Sequence, residues 1–191
     1  MSNPTRREIL QSIAAAALAG PLSAQQALHV HQEAAKDTAA SRGVYHPKAL
    51  TGHEFRSLAR LCELIVPGAS KGQAAEFIDL LSSQNPEMAA IYTGGLAWLD
   101  HYMDRSVKTS FLEAAPGDQK ALLDQIAYRR NSTPDLAAGI RFFGWARQMT
   151  VDAYYTSAAG IEELGYSGNK SVAEFKVPPQ AIDYALERSP R

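Results

Sequence analysis

The 191-residue chain has one cysteine, Cys62. That excludes an internal disulfide, a zinc site built from cysteines and the CxxCH sequence that attaches a c-type haem. It also lacks an excess of either charge: 19 Lys and Arg stand against 20 Asp and Glu, for a formal net charge of −1. With no basic cluster to neutralise phosphates, nucleic acid is excluded as a partner class. The G-x-G-x-x-G fingerprint of a dinucleotide site, the HExxH pair of a zinc protease and the GxSxG elbow of a serine hydrolase are all missing. No stretch of four to eight residues alternates apolar with polar and is enriched in β-branched residues, and no Asn-Gly or Asp-Gly turn joins two such stretches, so strands are not expected.

What remains is a globular composition, 46% hydrophobic and 20% charged, of a size that suits one domain. The N-terminus reads as an address. Residues 5–11 are TRREILQ, followed by an Ala-rich apolar run over 12–22 that is too short to span a bilayer comfortably. The segment resembles a twin-arginine export signal, Ser/Thr-Arg-Arg-x-Phe-Leu-Lys: Thr5, Arg6, Arg7 and Leu10 match, while Ile9 replaces Phe and Gln11 replaces Lys. An ordinary amphipathic first helix is the alternative, but the run from Ile13 to Leu22 offers no polar face. Cleavage is expected after Ala24 or nearer Ala27; an uncleaved leader acting as a membrane anchor is the other reading.

Residues 25–50 mix Ala, Gln, His, Ser and Lys with few large apolar groups, as expected of a loose helix or flexible linker. From Thr51 the helical signals are clear. Thr51 and Glu54 have capping-box spacing, and Phe55, Leu58, Cys62 and Ile65, with Leu61 beside them, form a stripe that ends at Pro67-Gly68. Ser70 is expected to cap a second helix carrying Phe77, Ile78 and Leu81; Asn85-Pro86 opens a third, Pro116 a fourth, and Thr133-Pro134 a fifth. The reading is an all-α, irregular or orthogonal bundle of about five main helices over residues 51–168, with an extended tail over 169–191 containing Pro178 and Pro179.

Three features together resemble the gluconate 2-dehydrogenase subunit 3 family: the leader, the LCELIVP segment from Leu61 to Pro67 with EFIDLL downstream, and YYTS followed by Gly160 and LGYSG between Tyr154 and Gly168. The resemblance implies a small, non-catalytic subunit of a periplasmic sugar or polyol dehydrogenase. Its partner would be a large FAD-dependent flavoprotein of the glucose-methanol-choline type, with a cytochrome c carrying haem in a further subunit. The resemblance also implies that the small subunit carries the export signal for both and serves as chaperone and scaffold. The chain itself is too short to hold the parts that flavin or haem chemistry requires, so no cofactor is expected on it.

His29, His31, His46, His53 and His101 are the histidines; the HxH at 29–31 is a metal-ligand candidate, but solvated linker residues are the simpler reading. Ser157 and Ser167 sit in no hydrolase elbow and receive no catalytic role. Cys62, on an apolar stripe, reads as a buried small hydrophobe rather than a partner for an intermolecular disulfide. Tyr154, Tyr155, Ser157, Leu164, Gly165 and Tyr166 form the candidate partner interface, with core packing as the alternative for the tyrosines. An independent periplasmic helical enzyme or metal-binding module is the rival function.

Overall fold

The computed structural model describes residues 5–166 and 176–189. Among these the chain is all α-helical, as the sequence indicated: α1 Arg6–Ala19, α2 Ala24–Ala40, α3 Gly52–Ile65, α4 Ala74–Ser82, α5 Pro86–Val107, α6 Pro116–Ile126, α7 Ala137–Tyr155, α8 Ala158–Glu163 and α9 Pro179–Arg188. Short 3-10 turns lie at Ala69–Gly72 and Arg129–Asn131.

The organising element is α4. Eight of its nine residues are buried, the exception being the half-buried Glu76. A helix that is apolar all round belongs at the centre of a domain, and α4 is packed by α1, α2, α3, α5 and α7. Its start differs from expectation. Ser70 does not cap it; residues 69–72 form the 3-10 turn, and Gln73, in the left-handed region at φ 52°, begins the helix without a side-chain cap. The chain turns here because Glu63, on α3, accepts hydrogen bonds from the backbone N–H of Gly68 (2.9 Å) and Ser70 (2.7 Å). That carboxylate satisfies donors that a Ser cap would otherwise leave to water.

Capping chemistry sets three other starts as the sequence indicated. Thr51 and Glu54 close a capping box on α3, Asn85 accepts from the N–H of Glu87 and Met88 with Pro86 at the first turn of α5, and Pro116 opens α6. The fifth predicted helix begins a turn late, at Ala137.

Residues 25–50, read from the sequence as loose helix or linker, are mostly a regular helix. In α2, Ala27, Val30, Glu33 and Ala34 are buried, and a capping box between Ser23 and Gln26 fixes its start. The rest of the segment, residues 45–50, is tied to the core by Asp79 of α4. Its fully buried carboxylate accepts from Tyr45 Oη (2.9 Å) and from the backbone N–H of Lys48 (2.7 Å), Ala49 (3.1 Å) and Leu50 (3.0 Å). A buried carboxylate that accepts from four donors has its hydrogen-bonding capacity met.

The leader is α1. Leu10, Ile13, Ala14 and Ala17, at helical spacing, are buried against the domain, and α4 lies under them. The tail expected to be extended contains α9, begun by Pro179 at its first position, and none of its residues is buried. Ser167 and Gly168 lie outside the described residues.

Helices α5 and α7 approach closely through glycine. A β-carbon on Gly95 would stand 2.0 Å from Phe142 Cδ2, and one on Gly139 would stand 2.2 Å from the Trp98 ring. Each glycine thus accepts an aromatic ring from the opposite helix.

Candidate functional site

Of the six residues proposed from sequence as a partner interface, two are buried, Tyr155 is half-buried against the core, and three follow on the surface. Tyr154 and Ser157 are buried and committed within the chain. Tyr154 Oη donates to Glu163 (2.5 Å), which raises the phenol to about 12, and its ring meets that of Tyr155 edge-on at 5.1 Å. Ser157 Oγ donates to the Tyr154 carbonyl (2.6 Å) and accepts from the Gly160 N–H (3.1 Å), capping α8. Gly160 is required there because a β-carbon would lie 2.1 Å from the Tyr154 carbonyl oxygen. The Tyr-Tyr-Thr-Ser-x-x-Gly stretch is therefore the corner between α7 and α8. Leu164 and Tyr166, each 60% exposed, and Gly165, at φ 62°, follow on the surface.

The histidines do not converge. His29 and His31, two residues apart on α2, project from different sides of the helix. They are not solvated linker residues, because the segment is a packed helix. His31 Nε2 lies 3.1 Å from Thr156 Oγ1, its ring is 4.8 Å from that of Phe77, and burial lowers its pKa. His53 pairs with Asp100 at 2.6 Å, and His46 and His101 are exposed. Among the described residues no three His, Cys, Asp or Glu side chains come together as metal ligands. Cys62 is buried, accepts from Thr150 Oγ1 at 3.3 Å, and is pushed up to about 12 by burial.

The sequence reading missed a surface along α5 and α7. A groove of about 840 Å³ runs beside α7, lined by Arg129, Arg141, Arg147, Trp145, Val151 and Asp152 among others. A second depression between α5 and α7 shares Arg141 and Trp145 and includes Trp98, so both tryptophans of the chain border one continuous region. None of the three arginines makes an ion pair or side-chain hydrogen bond with another described residue. At one end Asp152 has a buried carboxylate oxygen without a partner, and burial raises its pKa. Half-buried Trp98 and Trp145 beside the exposed Arg129, Arg141 and Arg147 are the residue types that carry binding energy at protein interfaces. The sequence signal was the spacing of Arg141, Trp145 and Gln148 on one side of α7, which apolar-stripe reading leaves unused.

The N-terminal pair is also placed. Arg6 reaches Glu33 (2.6 Å) and Asp37 (2.9 Å) on α2, whereas Arg7 makes no ion pair among the described residues. No helix among the described residues is long and apolar enough to cross a membrane.

No curated protein and no solved structure gives a significant match to this chain. A family model described as gluconate 2-dehydrogenase subunit 3 matches residues 52–173, from the capped start of α3 through the α7–α8 corner. The all-helical bundle built on those residues belongs to the gluconate 2-dehydrogenase subunit 3 family, and the chain is accordingly one component of a multi-subunit dehydrogenase.

Proposed function

We propose that this chain is the non-catalytic small subunit of a periplasmic FAD-dependent sugar or gluconate dehydrogenase, serving as export escort, chaperone and scaffold for the flavoprotein. The observation that carries the reading is the family match over residues 52–173. It is supported by the lack of a dinucleotide fingerprint or haem-attachment sequence in the chain.

On this reading the large flavoprotein subunit binds the Trp98–Arg141–Trp145 region, extended by exposed Leu164 and Tyr166. A cytochrome c in a further subunit takes the electrons. The twin-arginine translocase reads the leader through Arg6, Arg7 and Leu10.

The test is co-expression of the tagged chain with the large subunit, followed by affinity capture from the periplasm. A flavoprotein recovered near one-to-one, with flavin absorbance, supports the reading. A large subunit that reaches the periplasm and remains folded without this chain sinks it.

A further inference from the structure

The leader is not a free tail. Its apolar residues Leu10, Ile13, Ala14 and Ala17 are buried, and its first helical residue, Arg6, is gripped from α2. Arg6 Nε stands 2.6 Å from Glu33 Oε2, and one terminal nitrogen stands 3.0 and 2.9 Å from the two oxygens of Asp37. Planar, multidentate contact of this kind suits a guanidinium and no other side chain equally well.

The grip joins an acid set into the domain to a half-exposed cation: the Glu33 side chain is 6% exposed and that of Arg6 48%. Glu33 is 5% exposed, and among the described residues its one other ion-pair partner is Lys36. Asp37 is shared with Lys48, whose backbone N–H donates to Asp79 in the core. The acid pair therefore sits on a frame fixed by α2, the 45–50 segment and α4. Without Arg6, Glu33 keeps Lys36 and Asp37 keeps Lys48, each acid one cation short of its docked set, so this seat favours a helix bearing a basic residue one turn ahead of an apolar stripe.

We infer that the face formed by α2 and α4 is a binding site for the chain's own leader helix, and that leader docking competes with reading of the leader by its export receptor. Arg6 and the Leu10 stripe are the groups that the receptor must contact, and the docked state occupies both. The leader exchanges between a docked and a free state, and apparent receptor affinity falls in proportion to the free fraction. Arg7, without an ion pair, remains outward in the docked state. The competition rests on the export reading above; the seat itself does not.

Hydrogen exchange of the full-length chain and its tryptic cleavage after Arg6 and Arg7 test both parts. In the wild type, amides of α1 are expected to be protected and cleavage slow. In the Glu33→Gln/Asp37→Asn double variant, cleavage is expected to accelerate about tenfold, the weight of a charge-assisted hydrogen bond, with protection of α3 to α7 unchanged. Asp37→Asn alone, at the more exposed acid, gives a smaller acceleration and keeps the test valid if the double variant misfolds. Unprotected α1 amides in the wild type, or unchanged cleavage in both variants, overturn the seat.

Export kinetics of the same chains separate the two claims. Faster export of the loosened variants supports competition. Equal or slower export with a demonstrably loosened leader overturns competition, and a wild-type chain that never leaves the cytoplasm refutes the export reading while leaving the seat intact.

Discussion

Gly95 on α5 lies under the ring of Phe142 on α7, and a β-carbon there would be 2.0 Å from Cδ2. Phe142 is itself buried and meets the Tyr92 ring edge-on at 5.9 Å, so it has little room to retreat. Gly95→Ala should therefore cost about 1–3 kcal/mol, the range for forcing an extra carbon into a packed core. Glycine's poor helix propensity would otherwise favour alanine by up to about 1 kcal/mol, so the sign of the result is informative. Thermal unfolding followed by circular dichroism should show a midpoint lower by roughly 3–10 °C for a chain of this length. A rise in the midpoint would mean that α5 and α7 stand further apart than described.

Asp79→Asn should be more damaging than Tyr45→Phe, which removes only the Tyr45–Asp79 hydrogen bond. The phenylalanine variant removes one donor and should cost about 1 kcal/mol. The asparagine variant puts an NH2 group in place of one oxygen, facing either the N–H of Lys48 or those of Ala49 and Leu50, and should cost about 2–4 kcal/mol by the penalty for unmet buried donors. Urea unfolding of the two variants checks the order, which reverses if Tyr45 rather than the backbone dominates the clasp.

Cys62 should resist thiol reagents in the folded protein and react on unfolding. Its folded pKa, raised by burial to about 12, exceeds the ordinary thiol value. A group held neutral in this way contributes stability that is fully present below its unfolded pKa, near 8.5, and is lost as pH rises toward the folded value. Stability of the wild type should thus decline between about pH 9 and 12. Cys62→Ala should show a shallower decline over that window, measured as denaturation midpoint against pH. Rapid labelling at neutral pH under native conditions would contradict the buried placement.

Trp145→Ala and Arg141→Glu should weaken binding of the large subunit while leaving the melting temperature within a degree or two. Each is expected to cost about 2 kcal/mol of binding, roughly a thirty-fold rise in Kd, by the scale of interface anchors. Tyr154→Phe should do the opposite, lowering stability by about 1 kcal/mol through loss of its bond to Glu163, with little direct effect on binding. Titration calorimetry with the purified large subunit, alongside melting curves, distinguishes the two classes. If Tyr154→Phe dissociates the complex at unchanged stability, the docking surface lies at the α7–α8 corner instead.

The sequence was most informative where a local rule decides. Thr51 with Glu54, Asn85 with Pro86 and Pro116 mark helix starts through backbone donors close in the chain, and all three stand where expected. It was least informative where the packing residues are small. The buried stripe of α2 is Ala27, Val30 and Ala34, which carries little hydrophobic contrast, although Ser23 and Gln26 form a capping box that could have been read. Likewise Pro179 ahead of an Ile182–Leu186 pair signals a helix that the neighbouring Pro178 obscured. The role of Asp79 was out of reach, because within EFIDLL it reads as one polar break, and its four donors come from a loop about thirty residues earlier. The tyrosine cluster was visible as a feature, but its assignment depended on Glu163 and Gly72 lying beside it.

Helix α4 is walled by α1 and α2, made before it, and by α5 and α7, made after it. On the ribosome it therefore cannot reach its final environment until residue 155 has emerged, and Phe77, Ile78, Leu80 and Leu81 stay uncovered on one side until then. A nascent chain stalled at Asn131 should remain protease-sensitive and attract chaperones that bind apolar segments, whereas one stalled well beyond Tyr155 should not. The centre of this domain is the last part to be closed, and its N-terminal helices must wait for a wall that synthesis delivers late.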